Sequence, residues 1–115
     1  MNKKITKKEL KRLQKKEDNR KWKETRQIVL NRDNHKCLLC GNSCKLNVHH
    51  ILEKEFILFR HLKFDERNLI TVCPKCHKYG QFSIHKNPLY ALEVVKSLYP
   101  LNYAFLLEET KRLHG

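Results

Sequence analysis

No stretch of this 115-residue chain approaches the roughly 18 consecutive apolar residues of a membrane-spanning helix, and its N-terminus has no apolar core of the signal-peptide kind. Those two absences argue against a membrane protein and lead us to expect a cytoplasmic one, in a bacterial or phage-infected cell. Glycine and proline are missing from residues 6 to 30, and no internal repeat or low-complexity linker occurs. Acidic residues are scarce, with twelve Asp and Glu against twenty-five Lys and Arg, a formal net charge of +13. So basic a chain makes nucleic acid the first partner to consider, and nothing in it calls for a small-molecule cofactor.

The length suits one domain, at a size where a single apolar core is modest and a metal or disulfide staple often helps. Charge is concentrated early: residues 1 to 36 hold fourteen basic and five acidic side chains, the remainder eleven and seven. Lys7, Lys8, Lys11, Arg12, Lys15, Lys16, Arg20 and Lys21 are the candidate nucleic-acid contacts of this arm, whose blander alternative is a solvated tail. The run from Thr6 to Leu30 is rich in Lys, Glu, Arg, Leu and Gln and reads as helical. We expect "EDNR" at 17 to 20 to break it into two helices. The second would dock through Trp22, Ile28 and Val29, which read as core residues without chemistry.

Five cysteines is an odd number, and four of them form two C-x-x-C pairs, which in a reducing compartment points to metal rather than disulfides. Cys37, Cys40, Cys73 and Cys76 can supply four thiolates to one tetrahedral Zn²⁺ at about 2.3 Å. In "CLLCG" the glycine lets the backbone fold back beneath the metal. Cys44 is left over and reads as a buried thiol.

The two pairs stand 32 residues apart, more than the roughly 15 to 20 common in a zinc ribbon, so the insert should carry something extra. "KLNVHHI" reads as a strand, "LEKEFILFRHLKFDERN" as irregular and "LITV" at 69 to 72 as the partner strand. "CPKCHKYG" reads as a short helix that Gly80 ends, and "SIHKNP" as a turn. Two helices then flank Pro100, with Leu89, Leu92, Val95, Leu98, Leu101, Phe105 and Leu106 expected to pack the domain together. The fold class is α+β. We divide the chain into a basic helical arm (1–31), a zinc-stapled core (32–87) and a C-terminal helical pair (88–115).

The succession "CLLCG", "VHHI", "NLITVCPKCH" resembles the HNH endonucleases, whose active site is a ββα-metal (His-Me) finger often held by a four-cysteine zinc. The resemblance covers about residues 32 to 87. More loosely, "RHLKFDERNLITVCPKCHKYGQFSIHKNP" looks like small HNH proteins of phages and mobile elements. It implies that His49 is the first ligand of a catalytic ion, His50 the general base, Asn68 the central asparagine that orients the active-site strand, and His77 the second ligand. Where some relatives place a third ligand this chain has Gln81, which leaves His85 or water to complete the site. Arg60 and His61, in the loop between the strands, are placed to grip a phosphate, and Arg60 is the better of the two because a guanidinium can bind bidentately.

Elementary chemistry agrees with those roles. Phosphodiester hydrolysis needs a cation at the phosphate and a base for water, and a neutral imidazole suits the second task. Adjacent strand residues face opposite ways, so His49 and His50 can divide the work. Mg²⁺ or Mn²⁺ is the expected catalytic ion, although two imidazoles would also accept Ni²⁺ or Zn²⁺. The leading expectation is a DNA endonuclease leaving 5′-phosphate and 3′-hydroxyl ends, with double-strand cutting calling for a homodimer or two sequential events. The alternatives are a zinc-stapled nucleic-acid-binding module without catalysis, and a nuclease acting on RNA.

Overall fold

The computed structural model describes residues 4–52, 57–79 and 88–112. Helix α1 runs unbroken over Lys7–Arg32. Thr6 caps it, its hydroxyl accepting from the Glu9 N–H at 3.1 Å. The expected break at 17 to 20 does not occur. Asp and Asn cost a helix only a few tenths of a kcal/mol each, and charged pairs one turn apart offset that here. Arg20 pairs with Glu17 and Glu24, and Gln14 donates to Asp18 at 2.9 Å.

Only the C-terminal half of α1 docks. Thr25, Val29 and Leu30 are buried and Trp22 is half-buried, while residues 4–16 are all exposed. Ile28, expected in the core, is 51% exposed. It lies about 100° round the helix from Val29 and so leaves the docking stripe.

Strand β1 (Asn47–His50) pairs antiparallel with β2 (Leu69–Val72), His49 opposite Ile70 and His50 opposite Leu69. Opposite residues share a face, so the sheet has two inner sides. On one side Ile70 and Val72 join Cys37, Cys73, Ala91, Val95 and Leu106 in the main core. On the other, Leu69 and Thr71 face away from that cluster, and α1 covers the sheet. All four residues of β2 are buried, which explains why "LITV" does not alternate in polarity.

Between the strands lie short helical turns at Ile57–Leu62 and Glu66–Asn68. After β2 comes a wide π-type turn, Lys75–Tyr79. Helices α2 (Pro88–Leu98) and α3 (Pro100–Lys111) close the body. They bury one stripe only. Ala91, Val95 and Leu106 are buried, whereas Leu89, Leu98 and Leu101, expected to pack, are 71%, 54% and 84% exposed. Leu98 and Leu101 flank the hairpin tip at Pro100, where spacing puts them on the helices but the small body offers no wall.

One buried carboxylate ties these parts together. The Asp33 side chain is wholly buried, and it accepts from Arg32 Nε at 2.9 Å and Nη2 at 3.0 Å, from the Thr71 N–H at 3.0 Å and from the Tyr99 hydroxyl at 2.7 Å. Arg32 also donates to the carbonyls of Glu66 (2.8 Å) and Leu69 (2.6 Å) and lies over the Tyr99 ring. The end of α1, the 66–68 turn, β2 and the start of α3 therefore meet at one charge pair. The architecture is α+β: helices around a two-stranded antiparallel sheet with a cysteine cluster at its edge. No helix among the described residues is long and apolar enough to cross a membrane.

Candidate metal centre and histidine site

The cysteine knuckle forms because Gly41 adopts φ +81°, a left-handed conformation that costs glycine little, which turns its N–H back to the Cys37 carbonyl at 2.8 Å. The Cys37 N–H donates to Asn42 O at 2.7 Å, and the Leu38 N–H to Thr71 O at 2.8 Å. That last bond fastens the knuckle to β2, two residues before Cys73. The ligand atoms of Cys37, Cys40, Cys73 and Cys76 all lie within 4.8 Å of one another, with Cys40 Sγ and Cys73 Sγ 3.5 Å apart. Four thiolates at about 2.3 Å from a tetrahedral ion would be roughly 3.8 Å apart. The cluster fits a metal ion and is consistent with zinc.

The thiols ionise unevenly. Burial pushes Cys76 well above the usual thiol range, with Cys40, Cys37 and Cys73 adding to it, and burial raises Cys40 as well. At Cys73 burial also opposes ionisation, but hydrogen bonds from the Cys76 backbone and the other three thiols outweigh it and lower the value. A cation is what allows all four to be thiolates together at neutral pH. Cys44, expected to be buried, is exposed, its N–H held by Asn42 Oδ1 in a local turn.

The second centre follows from the pleat of β1. His49 shares the face of Ile70, on the side of the 75–79 turn, and its ring meets that of His77 edge-on, centroids 4.6 Å apart at 60°. Two imidazoles holding one ion at right angles through nitrogens about 2.1 Å away would have centroids roughly 4.5–5 Å apart. The separation is compatible with two ligands of one cation, and it is also that of an ordinary edge-on ring pair. His85 and Gln81 lie outside the described residues.

His50 faces the other way, toward α1. Its Nε2 is 2.8 Å from the Lys63 carbonyl oxygen. A carbonyl only accepts, so Nε2 carries the proton, and in the neutral ring the lone pair is on Nδ1. The Trp22 indole stacks on the same ring, centroids 5.4 Å apart and planes 18° from parallel. Trp22 is thus the neighbour of a histidine rather than a plain core residue. No sequence signal joins the two, which are 28 positions apart.

Asn68 is fully buried beneath this site. Its side-chain oxygen accepts from the Leu52 N–H at 2.7 Å, and Nδ2 donates to Leu52 O at 3.0 Å and Leu62 O at 3.5 Å. Its carbonyl accepts from the Ile51 N–H at 2.8 Å. One amide therefore joins the chain just after His50 to the chain just before Lys63, whose carbonyl holds His50.

The loop between the strands is fastened on its outer side. Lys63 pairs with Asp18 at 3.6 Å and lies over Phe64, as does Lys21. Asp65 is bidentate to Arg67, whose guanidinium holds that carboxyl below the usual carboxylate range and itself lies 3.4 Å above the Phe105 ring centroid. His61 pairs with Glu109 of α3 at 3.0 Å, while Arg60 is exposed on the turn. Of the basic arm, Lys7, Lys8, Lys11, Arg12, Lys15 and Lys16 are exposed, whereas Arg20 is engaged by Glu17 and Glu24.

A family model described as HNH endonuclease matches residues 37–79, the span from the first cysteine of the knuckle to the end of the π-type turn. No curated protein and no solved structure matches the chain.

Proposed function

Since residues 37–79 match the HNH endonuclease family model, we propose that this protein is a metal-dependent endonuclease that hydrolyses phosphodiester bonds of DNA. The observation that carries this reading is the division of two adjacent histidines: His49 converges with His77, and His50 is held at Nε2 by a backbone carbonyl.

His49 and His77 would hold a single Mg²⁺ or Mn²⁺, with water or His85 completing the site. That ion, when bound, neutralises charge on the phosphate and the departing 3′ oxygen. His50 takes a proton from water at Nδ1 as that water attacks phosphorus, because its other nitrogen is committed to the Lys63 carbonyl. The imidazolium so formed lies against the Trp22 indole face, where a cation is favoured. Asn68 keeps the strand end and the Lys63 carbonyl in register with each other. Arg60, exposed on the Ile57–Leu62 turn, would grip a flanking phosphate. The products are 5′-phosphate and 3′-hydroxyl ends. The zinc on the four cysteines is a separate, structural ion.

The test is plasmid cleavage with Mg²⁺ or Mn²⁺ present or chelated. His50→Ala should abolish cleavage while DNA and metal still bind. His49→Ala should weaken metal binding, and His49→Asp should restore part of it. Cleavage unaffected by His50→Ala refutes the assigned base. DNA binding with no cleavage by the native protein would mean a zinc-stapled binding module, and preference for RNA would reassign the substrate.

A further inference from the structure

The helix that holds His50 extends well beyond the body it docks on. Residues 7 to 16 of α1 are exposed on every side, and the first partly covered positions are Glu17 and Asp18. That free section is not uniformly charged around its circumference. With 3.6 residues per turn, Lys8, Lys11 and Lys15 fall within about 40° of the direction in which Trp22 points, as does Asp18, which Lys63 pairs at 3.6 Å, whereas Glu9, Glu17 and Glu24 fall about 140–160° away. Trp22 points at His50. The stripe and the stacked histidine therefore share one face of a single helix. No carboxylate pairs with the three lysines among the described residues, whereas Arg20 and Lys63 are each paired with acidic groups.

Distances along the helix set a scale. At about 1.5 Å per residue, Lys15, Lys11 and Lys8 stand roughly 10, 16 and 21 Å from Trp22 along the axis. One strand of B-DNA presents a phosphate every 3.4 Å or so of duplex axis, so the stripe spans about six base pairs from the site. Lysines on flexible stems make point contacts with phosphates and do not read base edges.

We propose that Lys8, Lys11 and Lys15 hold duplex DNA on one side of the scissile phosphate only, so that efficient cutting requires about six base pairs of duplex beyond the cut toward the N-terminus of α1. This rests on the endonuclease reading for its register at His50, but its binding component does not. The contacts lie far from the reacting atoms, so they lower KM and leave kcat alone.

The experiment uses the full zinc-loaded chain on a duplex of about forty base pairs labelled at one end of each strand. Cleavage should fall about tenfold within roughly six base pairs of one end of each strand and persist close to the other end. Lys11→Glu should raise KM about tenfold, leave kcat unchanged and flatten the asymmetry. Lys23→Glu makes the same charge change one residue from Trp22 but about 100° round the helix, and should alter KM less than twofold. A symmetric profile for the native protein, or equal effects of the two reversals, overturns the proposal. If duplex binding by anisotropy shows the Lys11 and Lys23 contrast but nothing is cut, the stripe stands and the endonuclease reading fails. Tighter binding to single strands or RNA than to duplex overturns the stripe's assignment.

Discussion

Replacing Asn68 by Ala should separate the positioning of His50 from its presence. The side chain is completely buried and makes two good bonds to Leu52, accepting from its N–H at 2.7 Å and donating to its carbonyl at 3.0 Å, with a longer third to Leu62 O. An abandoned buried polar group costs about 1–3 kcal/mol, so losing both Leu52 partners would cost about 2–6 kcal/mol. Leu52 is only half-buried and water can reach it, which places the expected loss near the lower end, about 2–3 kcal/mol. Small domains have about 5–15 kcal/mol to lose, so the variant stays folded.

On the proposed reading, chemistry should suffer by about as much again as folding, and separately from it. Without the amide, the chain after His50 and the chain before Lys63 are no longer held to each other, and the Nε2 bond to the Lys63 carbonyl loses its geometry. A displacement of about 1 Å at a catalytic group can cost on the order of a hundredfold. We therefore expect kcat on a DNA duplex to fall about a hundredfold with KM changed less than threefold. Cobalt substituted at the cysteines should keep its thiolate absorption, and urea unfolding should give the stability loss separately. A kcat within threefold of native, alongside the full stability loss, would refute the reasoning: Asn68 would then be a buried hydrogen-bonding residue and no more.

Three other outcomes follow from the packing. Asp33→Ala removes the partner of Arg32, Tyr99 and the Thr71 N–H at once and should cost about 3–5 kcal/mol in urea unfolding; a loss under about 1 kcal/mol would mean that the Glu66 and Leu69 carbonyls satisfy Arg32 alone. Burial, then the neighbouring Asp33 carboxylate, raises the Tyr99 phenol above its ordinary value. Its folded form thus holds the proton more tightly than the unfolded chain, a contribution present below about pH 10 and lost as pH rises through the raised value. The stability gap between native protein and Tyr99→Phe should therefore shrink above about pH 10, and a constant gap would contradict it. If the four cysteines hold an ion as proposed, chelating it should unfold the sheet by circular dichroism, whereas a full signal without metal would show the core sufficient on its own.

Much of the centre was legible. "LITV" forms β2 at the residues read for it, because four consecutive apolar or β-branched residues before C-x-x-C can hardly be anything but a covered strand. Pro100 divides the C-terminal helices as its chemistry requires. What was not legible depends on neighbours remote in sequence. Helical spacing places Leu89, Leu98 and Leu101 on faces, but whether a wall stands opposite is a property of the whole body. Asp33 reads as a turn residue in a turn-rich run and proves to be the junction of four segments. The continuity of α1 turned on charged pairs at 17, 20 and 24 that offset the poor helix formers between them.

The same distinction bears on what a metal held by the four cysteines would do for so small a site. Cys76 and His77 are consecutive in the π-type turn, and the His77 N–H is itself bonded to the Cys73 carbonyl at 2.9 Å. Neighbouring residues on such a turn diverge, so fixing Cys73 and Cys76 on one ion directs His77 elsewhere, and that direction meets His49 at 4.6 Å. A two-stranded sheet alone could not hold the turn still, since isolated hairpins are marginal in water. On the proposed reading, zinc fixes the angle at which His77 leaves the turn, and the pleat of β1 fixes the angle at which His49 meets it. Cys76→Ser should accordingly weaken binding of the catalytic ion before it removes DNA binding, because the exposed lysines of residues 7–16 of α1 make no described contact with the cysteines. If DNA and Mn²⁺ affinities fell together in that variant, the lysines and the cysteines would not be independent.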